Sequence, residues 1–240
     1  MNEEHAFIRF RKYELLGGLI FLGIFLSGAL AWALRLIVAQ LVGLADPLRA
    51  NLILNLGFDL LSLAVLIPLL HRWLAGQFRL LRAGGVKRTL RELLIGLGLI
   101  LLALIVLSRL LSFVSILYPD YSNGNQENLE VLYAAYPVWI TLMTSVTAPV
   151  IEELLFRGLI FCGLRPRSRF LAYFLSALAF AFPHVSAYLG NVPLPVSAVN
   201  LLLYFSMGLI LARTCERSRT IFTPILLHAV YNTIMTFLIR

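Results

Sequence analysis

The chain has 240 residues, of which 60% are hydrophobic and only 13% are charged, with a formal net charge of +8 and a mean hydropathy of +0.88. Soluble domains are roughly half apolar and about one quarter charged, so this composition excludes an ordinary water-soluble domain. The basic residues fall in short clusters between apolar runs, which is how membrane topology is encoded. We therefore expect this protein to lie in a lipid bilayer, and we do not expect its basic residues to bind a nucleic acid.

Seven apolar segments are long enough to form membrane helices, since a bilayer core needs about 20 apolar residues per helix. They lie at 15–38, 49–70, 93–117, 132–161, 170–189, 196–212 and 221–239. The fourth contains Pro137 and Pro149 and could break into an interfacial piece and a spanning helix, which would give eight helices. The predicted fold is all-α: one polytopic transmembrane helix bundle of seven to eight helices that covers residues 1–240.

The charges also predict an orientation. Basic clusters at 9–12, 72–91, 165–169 and 213–219 all fall on the same side when seven helices alternate, whereas the loop at 118–131 holds carboxylates and no Lys or Arg. Because Lys and Arg in short loops are retained inside, the N-terminus is predicted to be cytoplasmic. The first apolar run also resembles a signal peptide, but it is longer than a typical one, which favours a retained helix.

The second apolar run carries three polar residues at steps of four. Asn51, Asn55 and Asp59 therefore lie on one face of a helix. Two interpretations stay open: hydrogen bonding to a neighbouring helix, or a role facing the substrate, since ionisable groups inside a membrane usually mark function.

The fourth run contains two adjacent carboxylates in the sequence EELLFRG at 152–158. Neighbouring positions of a helix diverge by about 100°, so Glu152 and Glu153 must face different surroundings. Glu153 precedes Arg157 by four residues, the spacing and order that favour a helical ion pair. Glu152 is then left to face a cavity.

Two later runs add histidines. The fifth contains FAFPH at 180–184, which ends on His184, and the seventh contains HAVYN at 228–232, in which His228 and Asn232 share one helix face. Counted by helical rise from the basic clusters, Glu152, His184 and His228 could meet in the cytoplasmic half of the bundle or near its midplane. A carboxylate, two imidazoles and an amide can activate water and stabilise an oxyanion.

Together these three motifs resemble the intramembrane endopeptidases of the CAAX protease and bacteriocin-processing family, also called CPBP or Abi proteins, which include the type II CAAX prenyl endopeptidase. EELLFRG is similar to the family's EExxxR motif, FAFPH to FxxxH and HAVYN to HxxxN. Each motif alone is weak, but their order on membrane helices is specific. The resemblance covers about residues 137–236, and the first 130 residues carry no motif that we assign.

The resemblance implies roles for six residues. Glu152 would be the general base that activates water, His184 would help to hold that water, and His228 with Asn232 would form the oxyanion site. Glu153 and Arg157 would be structural supports. No cofactor is expected, although a zinc ion bound by Glu152, His184 and His228 is the alternative, since His and carboxylate ligands with an open position describe a catalytic zinc site.

The expected function is thus an endopeptidase that cleaves membrane-embedded or lipid-anchored peptides and proteins. We expect the bacterial inner membrane as its location, with the active site open to the cytoplasm. The alternative is a non-catalytic scaffold or bacteriocin-immunity protein of the same fold. A transporter is disfavoured, because it predicts repeated halves or paired broken helices. The substrate and the oligomeric state are left open by the sequence.

Overall fold

The computed structural model describes residues 8–42, 46–119, 124–186 and 192–238, and within these ranges it contains helices and no strand. We number the helices in chain order: α1 Lys12–Leu26, α2 Ala29–Val42, α3 Pro47–Leu117, α4 Gly124–Ala135, α5 Pro137–Cys162, α6 Arg169–Ser186, α7 Leu194–Ser218 and α8 Phe222–Leu238. Each of the seven apolar segments is mainly helical where it is described, so the predicted all-α fold is confirmed.

The first apolar run is bent, which corrects the prediction of one helix over residues 15–38. Helices α1 and α2 meet at an angle of 61°. The bend lies at Gly28, whose φ of +70° belongs to the left-handed region that a glycine adopts at little steric cost. The hydroxyl of Ser27 accepts a hydrogen bond from the amide of Ala29 at 3.3 Å and so stabilises the start of α2.

Helix α3 contains two of the predicted spans. It begins at Pro47, behind a cap in which the Asp46 carboxylate accepts from the amide of Arg49 at 2.9 Å. Gly85, with φ 72° and ψ 163°, interrupts the helix between the runs at 49–70 and 93–117. The segment 72–91, predicted as a basic loop, is therefore helical apart from this kink. A single non-helical glycine is enough to change the direction of the chain between two spans.

Several of the described helices are long and apolar enough to cross a membrane. Four of them qualify, namely α3, α5, α6 and α7, and a fifth span is added if the bent pair α1–α2 counts as one. Helix α8 is apolar but shorter, at 17 residues. The predicted break in the fourth run occurs at Tyr136, where α4 ends and Pro137 begins α5. Residues 120–123 of the predicted acidic loop lie outside the described residues.

Helix α5 is the centre of the bundle. Nearly every side chain from Glu153 to Cys162 is buried, and the apolar ones form the main core together with residues of α1, α3, α6 and α7. Helices α6 and α7 approach closely at Gly208, where an added Cβ would lie 2.7 Å from the Cα of Ala177. This packing fixes α5 between its neighbours and fixes the side chains that α5 presents to them.

Candidate active site

The predicted site residues meet at one cavity of about 330 Å³. Glu152 reaches it from α5, His184 from the end of α6, and His228 and Asn232 from α8. The cavity wall is completed by α3 and α7, with residues including Asn55, Asp59 and Tyr204. The structure thus brings together three motifs that are separated by up to 80 residues of sequence, counted from 152 to 232.

The two adjacent glutamates face different surroundings, as the helix phase predicts. Glu152 lines the cavity, with 18% of its side chain exposed, whereas Glu153 is completely buried on the other side of α5. Oε2 of Glu152 is buried and has no hydrogen-bond partner within the described residues; Nε2 of His228 lies 4.0 Å from it. A buried carboxylate oxygen without a partner is costly, and it is an acceptor that a water molecule or a substrate N–H can satisfy.

Glu153 forms a buried ion pair with Arg157 and also contacts His228. Its Oε1 accepts from Nη1 of Arg157 at 2.9 Å, which confirms the predicted pair, and it lies 3.1 Å from Nδ1 of His228. Arg157 also donates to the carbonyl of Gly208 at 3.2 Å, and its guanidinium lies 4.4 Å from the ring centre of Phe180. Because a carboxylate can only accept, Nδ1 of His228 carries a proton and Nε2 is directed toward Glu152.

His184 is oriented in the same way by a different acceptor. Its Nδ1 lies 2.8 Å from the carbonyl oxygen of Phe180, one turn earlier in α6. This bond requires a proton on Nδ1, so a neutral ring has its lone pair on Nε2. The ring also stacks on Tyr204 of α7, with centroids 4.3 Å apart and planes inclined by 26°. Both contacts restrict the rotation of a side chain that lines the cavity.

Asn232 donates a hydrogen bond to the backbone carbonyl of Thr144 on α5. Residues Met143–Thr147 of α5 form a π-helix, in which the amide of Ala148 donates to the carbonyl of Met143 and not to that of Thr144. The next residue, Pro149, has no N–H to donate. The Thr144 carbonyl instead accepts from Nδ2 of Asn232 at 2.8 Å. This bond sets the amide plane at the cavity edge.

Tyr204 and Thr144 were not predicted as site residues from the sequence. Neither residue is unusual in a membrane helix, and each acquires its position in the site only through a tertiary contact. One signal was present in the sequence: a proline five residues after Thr144 removes the donor that a π-helix would use for this carbonyl.

The polar face of α3 contacts a neighbouring helix and also lines the cavity, and its role facing the substrate stays a prediction. Asp59 accepts a hydrogen bond from the hydroxyl of Thr147 on α5, which is a contact between helices. The amide nitrogen of Asn55 donates to Oδ1 of Asn51 at 2.9 Å. Asn55 and Asp59 also line the cavity, so this face of α3 forms part of its wall.

The three possible zinc ligands, Glu152, His184 and His228, all line the cavity. Among the described residues, no group of three His, Cys, Asp or Glu side chains is arranged to hold a metal ion. In this conformation, Nδ1 of both cavity histidines is engaged by Glu153 or the Phe180 carbonyl, which leaves one ring nitrogen of each for a ligand.

Comparisons with known proteins agree with the motifs. Residues 134–234 match the family model of the type II CAAX prenyl endopeptidase Rce1-like proteins. The protein named "Putative membrane peptidase YdiL" of Bacillus subtilis (strain 168) is 30% identical over 118 residues, which are 49% of this chain and 43% of that protein. The resemblance inferred from the three motifs is therefore confirmed for this part of the chain.

The matched part is limited in extent, because it spans less than half of the chain and less than half of the relative. No solved structure matches the chain significantly. Taken with the long apolar helices, the family match identifies an integral membrane protein that resembles membrane proteases in its second half.

Proposed function

We propose that this protein is an intramembrane endopeptidase that hydrolyses peptide bonds of membrane-associated substrates with a water molecule activated by Glu152. The observation that carries the proposal is the buried, unpartnered Oε2 of Glu152, which lies 4.0 Å from Nε2 of His228 at a cavity that His184 and Asn232 also line. The match of residues 134–234 to the prenyl endopeptidase family supports the same reaction class.

In the proposed reaction, Glu152 takes one proton from water while the lone pair on Nε2 of His184 accepts a hydrogen bond from the O–H that the water keeps. The water oxygen attacks the carbonyl carbon of the scissile bond, and the carbonyl oxygen becomes the oxyanion of a tetrahedral intermediate. Glu152 then delivers its proton to the leaving nitrogen as the C–N bond breaks, which yields a carboxylic acid and an amine.

The oxyanion needs donors, which His228 and Asn232 can supply. A His228 ring protonated on both nitrogens keeps its Nδ1–H bond to Glu153 and presents Nε2–H to the cavity. Asn232 uses one amide hydrogen for the Thr144 carbonyl and has a second hydrogen to offer. Preorganised donors of this kind are effective because the protein does not need to reorganise as charge develops.

We propose that the reaction needs no metal. The chain's own groups supply a base, a water-holding acceptor and oxyanion donors, and the hydrogen bonds that Nδ1 of both histidines donates orient the two rings without an ion. The alternative remains that Glu152, His184 and His228 bind zinc, which would polarise the carbonyl and the attacking water.

We further propose a cytoplasmic N-terminus and a site that opens to the cytoplasm of a bacterial inner membrane. This orientation is supported by the basic residues between the spans, in particular the clusters at 72–91 and 165–169. In a bacterium, the proposed substrates are leader peptides and small membrane proteins, because a bacterial host makes prenylated substrates improbable.

The proposal is tested by incubating the purified protein in detergent with a library of membrane peptides. Glu152→Gln should abolish cleavage, whereas Glu130→Gln, which changes an exposed carboxylate of α4, should leave cleavage unchanged. A strong chelator should be without effect on the wild type. Chelator-sensitive cleavage restored by zinc would overturn the metal-free mechanism. Equal cleavage by wild type and Glu152→Gln would overturn the role of Glu152, and no cleavage by the wild type would favour the scaffold function.

A further inference from the structure

We propose that Asp59 and Asn55 of α3 form a substrate subsite that binds the ammonium or guanidinium group of a Lys or Arg close to the scissile bond. This inference rests on the proposed peptidase function and adds a substrate preference to it. It concerns α3, which lies outside the residues 134–234 that match the endopeptidase family.

Asp59 is a nearly buried acidic residue on the cavity wall. The residue is 8% exposed, and it lines the same cavity as Glu152. A carboxylate inside a membrane protein costs a few kcal/mol relative to an apolar residue, so its presence calls for a partner or a function. The hydroxyl of Thr147 supplies one hydrogen bond to Oδ2, and this is the bond that the described residues give to the Asp59 carboxylate.

The groups that this wall offers are acceptors. Both hydrogen bonds of the Asn55 side chain use its amide nitrogen, which donates to the carbonyl and to the Oδ1 of Asn51, each at 2.9 Å. The side-chain carbonyl oxygen of Asn55 therefore remains available, and Asp59 follows one turn later on the same cavity wall. Acceptors on successive turns of one helix suit a group with several N–H donors, such as an ammonium or a guanidinium.

The charge of the cavity favours the same ligand. Among its described lining residues are two carboxylates, those of Asp59 and Glu152, and no Lys or Arg. The guanidinium of Arg157 is completely buried in its pair with Glu153 and does not line the cavity. The imidazolium proposed for His228 faces Glu152, with Nε2 4.0 Å from its Oε2, so Asp59 is the lining carboxylate that a cationic substrate group can pair with.

A purely structural role for Asp59 accounts for fewer of these features. Contact between α3 and α5 through Thr147 needs only one acceptor, which a neutral asparagine would provide without a charge. It also leaves unexplained why the polar face of α3 continues along the cavity wall to Asn55. The two roles differ in what they require, since the structural one depends on the hydrogen bond and the binding one on the negative charge.

The test uses a peptide that the wild type cleaves, in which each of the three residues on either side of the scissile bond is replaced in turn by Lys or by norleucine. Norleucine has a similar length without the charge. The measured quantity is the ratio of kcat/KM for the Lys peptide to that for the norleucine peptide. At one position we expect this ratio to be roughly 10 to 100, the range of a hydrogen bond to a charged group.

Asp59→Asn should reduce this ratio to about one, because the amide keeps an acceptor for Thr147 but has no charge. Thr147→Val is the matched control, because it removes the hydrogen bond and leaves the carboxylate, and it should retain the Lys preference. Asn55→Asp adds a second carboxylate and should raise the ratio, which provides an independent measurement if Asp59→Asn fails to fold. A ratio near one in the wild type, or an unchanged ratio in Asp59→Asn, would overturn the subsite.

The failure of the subsite and the failure of the peptidase function give different results. Cleavage by the wild type without a Lys preference would remove the subsite and leave the peptidase function intact. If the wild type cleaves no peptide, the affinities of Lys and norleucine peptides for the wild type and Asp59→Asn are compared by fluorescence anisotropy. A Lys preference that depends on Asp59 would then support the subsite alone, and equal affinities would refute it.

Discussion

Removing the charge of Arg157 tests the interpretation of the buried network in α5. The guanidinium donates to Oε1 of Glu153 at 2.9 Å and to the carbonyl of Gly208 at 3.2 Å, and it lies over the ring of Phe180. In Arg157→Met, all three contacts are lost and Glu153 stays buried with His228 as its remaining partner. Since Oε2 of Glu153 already has no hydrogen-bond partner in the described structure, the carboxylate cannot turn to another donor.

The expected loss of unfolding free energy in Arg157→Met follows from the complete burial of Arg157 and Glu153. Breaking a buried pair by removing one partner costs about 3–5 kcal/mol, because an uncompensated charge remains. Glu153→Gln combined with Arg157→Met removes that charge and keeps an acceptor for Nδ1 of His228. Since a buried pair replaced by neutral groups of similar volume is often close to neutral, the double variant should regain most of the loss and lie within about 1 kcal/mol of the wild type.

The measurement is the free energy of unfolding in mixed micelles, obtained by titration with SDS and followed by circular dichroism. Arg91→Met is the control, because Arg91 pairs with Glu92 while its own side chain is 59% exposed. Glu92 keeps a second partner in Arg213, so the control should change stability by less than about 1 kcal/mol. The reasoning is refuted if Arg157→Met is as stable as the control, or if the double variant is no more stable than Arg157→Met.

Three further predictions address other parts of the structure. Asn232→Ala should lower kcat about 10²- to 10³-fold, as loss of one oxyanion donor does, while the protein remains folded by circular dichroism; a change in KM alone would contradict that role. Gly208→Ala should destabilise the bundle by about 1–3 kcal/mol, since its Cβ would lie 2.7 Å from the Cα of Ala177; Gly98→Ala, with no atom within 4 Å of the new Cβ, is the control and should not destabilise in the same titration. Ser176→Ala should cost about 1–3 kcal/mol, because the hydroxyl donates to a buried carbonyl of α5 at 2.8 Å; an unchanged unfolding midpoint would show that this carbonyl needs no partner.

The sequence predicted the features that depend on local spacing. Apolar runs gave the helices, and the four-residue step from Glu153 to Arg157 gave the ion pair, because these patterns are read from neighbouring positions of one helix. The separation of Glu152 from Glu153 is of the same kind. The convergence on one cavity was a weaker expectation, since helical rise gives depth in the membrane but not which helices are neighbours.

The features that could not be predicted depend on tertiary structure. Glycines occur throughout the chain, and their spacing in the sequence does not distinguish Gly28 and Gly85, which take a positive φ, from Gly98, which remains helical. In the same way, the stacking of Tyr204 on His184 joins two helices whose relative rotation is not encoded in either one. The polar face of α3 was visible in the sequence, but its exposure to the cavity was not.

The first half of the chain contributes to the site through α3, and contacts near the middle of that helix explain how it is held. Thr220 donates to the carbonyl of Gln77 at 3.2 Å, and the amide of Ile221 donates to the side chain of Gln77 at 3.1 Å. Gln77 lies 18 residues after Asp59, or roughly 27 Å along the helix. Because these bonds attach α3 to the segment that leads directly into α8, the carboxylate of Asp59 and the imidazole of His228 are carried by elements joined to each other. A cavity wall anchored in this way can hold a substrate group in a fixed relation to the reacting atoms, which is the condition under which binding contributes to rate.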